Sequence, residues 1–349
     1  MEEQTKQVKN VVNKEQLSFR FDDFPYEIKP KSRVLSGIET LDYDLKGFEM
    51  GCITIWTGFT NAGKTTVMTM LAKETIKQGE RIFFFNGEQT KEDFKNNLYI
   101  QLSDKKDLVD LYFQDNLGND TCIKDTFVNE ERARKLSKEY DKMIYIYNNE
   151  AKKKINKLLE AMQNMVKNEK IRVFFLDNFM QIETTNFNLL QEQTEIMEKL
   201  RTFAVNNKVH IHLVAHPRKT ERFQVRLDLF DISGTSNLIN KAYNIISIIR
   251  LDNLQDVSNS DVKYIQEKLF QEKYRVENVT TALEILKTKG NKCGFVGLTF
   301  DPKLKTYMES KRYLGEEYEQ AKAQIKQSRQ NKQKGYKNQI NMSEEGGEM

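Results

Sequence analysis

The stretch CITIWTGFTNAGKTTVMTMLAKETIKQ (52–78) decides the reading of this chain. Its first six residues are mostly β-branched and aromatic, the composition of a buried strand. Residues 58–65, GFTNAGKT, satisfy G-x-x-x-x-G-K-[ST], and the residues after them read as a helix. In such a strand–loop–helix setting, Gly58 and Gly63 let the backbone curl until its N–H groups converge on phosphate oxygens, assisted by the helix N-terminus. Thr60, Asn61, Ala62 and Thr66 complete the cradle. Lys64 would then lie against the β- and γ-phosphates of ATP, with the Thr65 hydroxyl on Mg²⁺.

Outward from this loop the chain keeps a rhythm. Short apolar runs read as buried strands: RIFFF (81–85), MIYIY (143–147), IRVFFL (171–176), VHIHLVA (209–215), NIISII (244–249) and ALEILK (282–287). Between several of them the apolar spacing is helical. Ile155, Leu158, Leu159, Met162, Met165 and Val166 share one face, as do Ile196, Met197, Leu200, Phe203 and Ala204. Alternating strands and helices imply a mostly parallel, twisted sheet covered by helices on both faces. Residues 281–308 change character: Gly290, Gly294, Gly297 and Pro302 separate short runs, which reads as hairpins at a sheet edge. The expected architecture is α/β, one domain over residues 32–310, with an arm at 1–31 and a polar basic tail at 311–349.

Two acids fit the chemistry of the loop. Asp177 ends the run IRVFFLD, where a carboxylate would reach the Mg²⁺ shell. Glu88 follows the strand RIFFF directly and is the candidate base or positioner for an attacking water. His210 and His212 share one strand face and read as core residues.

The whole chain sets bounds. It has 349 residues, 55 Lys+Arg against 51 Asp+Glu, and a net charge of +4, so global charge announces no nucleic-acid binder and any such site must be a local patch. Cys52, Cys122 and Cys293 are far apart and form no C-x-x-C pair, which argues against a disulfide framework or zinc site and for a reducing, cytoplasmic setting. The first residues, MEEQTKQVKN, are polar and unlike a signal peptide, and no apolar run has the ~18 residues of a membrane span. In the arm, Phe19, Phe21, Phe24 and Tyr26 read either as a docking patch or as aromatics tucked onto their own domain. Between Ala321 and Asn341 the tail carries six Lys or Arg and no acid, the pattern of a solvated or disordered run rather than a DNA-binding tail.

Taken in order, the lead-in SRVLSGIETLDYDLKGFEMGCITIWTG, the phosphate loop, Glu88, Asp177, VAHPRK (214–219), DISGTSNLINKAYNIISIIR (231–250) and LEILKTKGNKCG (283–294) resemble a known family. They are similar to the RecA-fold motor domain of hexameric, DnaB-like replicative DNA helicases, in the flavour of phage primase-helicases and Twinkle. The resemblance runs from Ser32 to Tyr307. It implies a RecA-like P-loop NTPase that forms a ring as a homo-oligomer, moves 5′ to 3′ on single-stranded DNA, and meets primase or other replisome proteins. It makes Glu88 the catalytic base, Asp177 the metal-holding acid and His216 the sensor of the γ-phosphate. It assigns DNA-binding loops to the segment after His216, with Arg218, Lys219, Arg222 and Arg226 as phosphate-seeking charges and Gly234, Thr235, Ser236 and Asn237 as a flexible polar stretch. The arm becomes a strap laid on a neighbouring subunit. Nothing in it resembles a primase core, and the lack of accessory domains fits a bacteriophage or mobile-element protein.

One departure bears on activity. The family completes each ATP site with a Lys and an Arg from the next subunit, in K-x-R. Lys287 matches the first, but Lys289 stands where Arg is expected, and an ammonium cannot make the planar bidentate contact of a guanidinium. Bacterial recombinases use two lysines in this arrangement. A recombinase that coats single strands as a filament, and a weakly hydrolysing ring or loader, are therefore the competing readings.

Overall fold

The computed structural model describes residues 31–115, 120–148, 153–183, 188–218, 224–232, 236–251, 260–272, 274 and 278–310. The arm (1–30) and the tail (311–349) lie outside the described residues, as do the expectations placed on them. The compact unit begins at Arg33.

A nine-stranded sheet forms its centre. In chain order its members are β3 (Ile53–Thr57), β4 (Ile82–Asn86), β7 (Ile144–Ile146), β8 (Val173–Asp177), β9 (His210–Val214), β10 (Asn244–Arg250), β11 (Thr281–Lys287), β12 (Phe295–Asp301) and β13 (Thr306–Glu309). Across the sheet they run β13-β12-β11-β10-β3-β9-β8-β4-β7. The six strands from β10 to β7 are parallel, and β11, β12 and β13 continue from β10 as an antiparallel edge. All seven runs picked out as strands from the sequence lie in this sheet, and the glycine-punctuated segment forms its hairpin edge.

Because side chains alternate across a strand, each apolar run feeds two cores. Trp56, Ile82, Phe84, Val173, Phe175 and Ile246 face one cluster, together with Val67, Met68 and Leu71 of the helix α2 (Lys64–Lys77). Ile53, Ile55, Phe83, Phe85, Phe174, Leu176 and Ile245 face the other, packed by α5 (Ile155–Glu169), α6 (Leu189–Asn207) and α7 (Ser236–Lys241). The result is a three-layer α/β/α arrangement with the RecA-like strand order. His210 and His212 are 0% and 1% exposed, in the core as expected; Trp56 Nε1 donates to His212 Nδ1 at 3.2 Å.

Several elements go beyond the sequence reading. Arg33–Val34 (β1) pairs with Phe48–Glu49 (β2) around the helix α1 (Glu39–Leu45). After β4 come α3 (Lys91–Gln101), a separate hairpin of β5 (Leu108–Gln114) and β6 (Asp120–Val128), and α4 (Glu130–Glu139). Between β10 and β11 stands α8 (Ser260–Gln271), whose Val262, Ile265 and Leu269 form a third cluster with Ile249, Ala282 and Phe295. No helix among the described residues is long and apolar enough to cross a membrane.

Candidate nucleotide-hydrolysis site

The site lies at the carboxyl ends of the parallel strands, where an open α/β sheet leaves its crevice. β3 ends at Thr57 and the chain turns at once. Gly58 has φ 155°, Asn61 φ 63° and Gly63 φ 90°. A Cβ on Gly58 would stand 2.6 Å from the backbone oxygen of Ile248, and one on Gly63 would stand 2.1 Å from the Tyr307 hydroxyl. Only glycine satisfies both the backbone angle of Gly63 and the close approach of its neighbours. Gly63 is the N-cap of α2 and supplies no side-chain acceptor, so the first N–H groups of the helix are left to an external anion.

Lys64 is held ready inside the loop. Its Nζ donates to the carbonyls of Gly58 (2.9 Å) and Phe59 (2.8 Å), leaving one of three N–H directions for a phosphate. Burial lowers its pKa, opposed by the nearby charges of Asp177 and Glu88. Thr65 Oγ1 donates to Asp177 Oδ2 at 2.9 Å, so the two expected metal-holding residues touch. Asp177 is 1% exposed, and burial raises its pKa to about 6 against the pull of the Thr65 hydroxyl. A hydroxyl and a carboxylate oxygen suit Mg²⁺, which takes hard oxygen ligands and completes its shell with phosphate and water. These residues fit the metal and the triphosphate; ATP with Mg²⁺ would supply the scissile phosphoanhydride here.

Beside them stands an interlocked group of three side chains. β4 and β8 are neighbours with Asn86 opposite Asp177, so their next residues leave the sheet together. Asn86 Oδ1 accepts from the backbone N–H groups of Glu88 (3.2 Å) and Gln89 (2.9 Å), fixing the turn that carries Glu88. Asn178, which the sequence reading passed over, links Glu88 to His216. Its Oδ1 accepts from the N–H of Met180 at 2.9 Å, which sets the amide orientation. Its Nδ2 therefore faces outward, donating to Glu88 Oε1 and lying 2.8 Å from His216 Nε2. His216 Nε2 is itself 3.2 Å from Glu88 Oε1. The only sequence signal for Asn178 was its position next to Asp177 at the strand end.

Residues 34–309 match the family described as the DnaB-like helicase C-terminal domain. The chain belongs to that family. Among solved structures it is similar to a DnaB-like replicative helicase studied with its interactions with primase, at 16% identity and TM-score 0.62; the match covers 81% of this chain and 64% of that one. It is similar as well to a second solved structure, an ATPase domain, at 16% identity and TM-score 0.60, covering 80% of this chain and 91% of that one. At that identity the two structures speak for the fold. The chain thus spans less than two thirds of the first of them.

The remaining expected residues of this DnaB-like domain lie elsewhere. β11 runs opposite to β10, so Lys287 comes level with Ile245 near the start of β10, at the sheet end away from the phosphate loop. Its Nζ donates to the carbonyls of Ile239 (2.5 Å), Asn240 (3.3 Å) and Ala242 (3.0 Å), at the carboxyl end of α7. Lys289 is exposed, 6.0 Å from the Tyr243 ring centre. Neither lysine meets the site of its own chain. Arg218 follows the strand end, its N–H donating to Asp231 O at 2.6 Å beside a Pro217–Ile232 bridge. Lys219, Arg222, Gly234 and Thr235 lie outside the described residues. Ser236 and Asn237, the end of the expected flexible stretch, begin the helix α7. Arg226, expected as a phosphate-seeking charge, makes a forked contact with the buried carboxylate of Glu284, at 2.6, 2.9 and 3.0 Å.

Proposed function

We propose that this chain is the ATP-driven motor of a ring-forming replicative DNA helicase that moves 5′ to 3′ on single-stranded DNA and hydrolyses ATP between subunits. The observation that carries the reading is the separation of Lys287 and Lys289 from the phosphate loop of their own chain. A P-loop with an adjacent base still needs a further cation for the charge developing on the transferred phosphoryl group. A second copy, offering its lysines at the opposite sheet end, supplies it.

Within the site, Lys64 and the uncapped end of α2 bind the triphosphate, and Thr65 and Asp177 hold Mg²⁺. Glu88 orients and deprotonates the attacking water. His216, hydrogen-bonded within the same group, registers the presence of the γ-phosphate and passes it to the segment that begins at Pro217. That segment carries Arg218, with Lys219 and Arg222 close in sequence, as the polynucleotide contact. Primase and other replisome proteins are the expected partners, and the polar arm of residues 1–31 a strap to the neighbouring subunit.

The test is ATPase rate per subunit as the protein is diluted, with and without an oligothymidylate, followed by strand displacement on a forked duplex. Rates should collapse below the assembly concentration, and a 5′ tail should be required for unwinding. A dilution-independent rate, or no displacement with or without a primase, rejects the reading. The recombinase reading keeps one specific support, the lysine at position 289. Electron micrographs decide between the two, filaments on single-stranded DNA favouring the recombinase and closed rings the helicase.

A further inference from the structure

The 224–232 limb and the helix α7 follow the proposed polynucleotide contact in the sequence, and one strand holds both. Near the start of the limb, Arg226 is forked onto Glu284 of β11. Glu284 is only 4% exposed, and the guanidinium is covered on one face by the Tyr264 ring of α8, 4.8 Å from its centre. Asp261, in the first turn of α8, reaches the backbone N–H groups of Val225 and Arg226 at 3.4 Å each. The carboxyl terminus of α7 is held by Lys287, three residues along β11 from Glu284.

A buried carboxylate is costly unless paired, and burial raises the Glu284 pKa against the pull of Arg226. Nothing in a simple surface loop calls for such an anchor. The row to which Glu284 belongs shows what it is anchored to. Glu284 is paired with Ser247 of β10, and Ser247 with Thr57 of β3, the residue before Gly58 of the phosphate loop. The Ser247 and Thr57 hydroxyls are buried with no hydrogen-bond partner among the described residues. This polar row therefore runs across three strands from the nucleotide loop to Arg226, with Lys287 at the far end of the same β11.

We infer that Glu284 is a positioning residue: through Arg226 it fixes the 224–232 limb, so that β11 carries changes at the nucleotide sites to the polynucleotide-binding segment. This rests on the reading of the preceding subsection. Glu284 touches neither nucleotide nor DNA. It sets where the limb sits, and α8, with Asp261 and Tyr264, is the buttress that holds Arg226 in line.

The experiment compares the full-length wild type with Glu284→Gln and with Tyr264→Leu, an exposed site at the margin of the third cluster. Two readouts are taken: hydrogen exchange of the 224–232 amides, and ATPase rate with saturating ATP, with and without a long oligothymidylate. Glu284→Gln should exchange these amides about tenfold faster, the scale expected for weakening a charged hydrogen bond, and Tyr264→Leu about threefold faster, the scale of a lost cation–π contact. The ATP KM and DNA-free rate should stay within about twofold of wild type, while the stimulation by oligothymidylate is lost. If Glu284→Gln fails to fold, Tyr264→Leu decides alone. Unchanged exchange, or faster exchange with full stimulation, overturns the inference. If the wild type itself shows no stimulation, the helicase reading falls, and the exchange comparison still decides whether Glu284 fixes the limb.

Discussion

The side-chain nitrogen of Asn178 lies 2.8 Å from Nε2 of His216, while its oxygen is committed to the N–H of Met180. The Asn178 amide therefore presents its N–H groups toward both Glu88 and His216. Asn178→Asp replaces that donor by a carboxylate facing Glu88 at nearly the same volume. ATP turnover should fall by about ten- to a hundredfold with nucleotide affinity retained, as for loss of a group that positions a base. Asn178→Asp turning over ATP at the wild-type rate would remove Asn178 from the site's chemistry.

Glu88 is the group expected to act on water. Glu88→Gln keeps an oxygen for the Asn178 amide but cannot accept the proton, so hydrolysis should drop by a factor of order 10²–10⁴. Binding of a fluorescent ATP analogue with Mg²⁺ should be unchanged within a few-fold. Equal ATPase rates for the variant and wild type would favour the weakly hydrolysing ring or loader.

Gly63→Ala tests the tightness of the phosphate loop. The new methyl group meets both the backbone angle of 90° and the Tyr307 hydroxyl. The substitution should destabilise the domain by about 1–3 kcal/mol and weaken nucleotide binding. Adding Tyr307→Phe removes the nearest clashing atom and should restore part of the stability but not the part due to the angle. Urea unfolding of the single and double variants measures both, and a non-additive pair is the expected sign.

His210 predicts acid sensitivity. Burial pushes its pKa down from 6.5 to about 4, and burial also pushes His212 well below its usual value. Between those pH values the unfolded chain takes up a proton that the folded chain refuses. Stability contributed by neutral His210 is therefore complete above about pH 6.5 and is lost as pH falls toward 4, by roughly 3 kcal/mol. Asp177 acts in the opposite sense, since its raised pKa lets the folded state hold a proton below about pH 6. The wild type must therefore be compared with His210→Gln by urea titrations at pH 7.5 and 4.5. A smaller loss of stability in the variant is expected; identical losses would show that His210 is not the group responsible.

Much of this molecule was legible without coordinates because its signals are local. The runs at 52–57, 81–85, 171–176 and 209–215 are apolar on both faces, which only a strand buried between two layers of helices tolerates. GFTNAGKT carries its own backbone requirements, so Gly58, Gly63, Lys64 and Thr65 could be assigned from spacing. The β5–β6 hairpin escaped because its apolar residues do not turn inward. Leu111, Phe113 and Ile123 are 57%, 51% and 62% exposed, and Tyr112 between the first two is exposed as well, so no one-sided apolar pattern marks the strands. α8 offers only a short apolar face, Val262, Ile265 and Leu269, packed on Val225, Ile249, Ala282 and Phe295.

What the sequence determined by itself was the nucleotide loop, the parallel sheet and the acids at the strand ends, since each follows from residue type and short spacing. Tertiary structure alone decided which distant groups meet. Asn178 reaches Glu88 and His216 because β4, β8 and β9 end side by side. Arg226 pairs with Glu284 because a buried carboxylate 58 residues away needs its charge. Lys287 lies at the sheet end away from its own phosphate loop because β11 reverses direction next to β10. A contact between residues far apart in the chain is fixed by strand order and direction, and neither is written in any one segment.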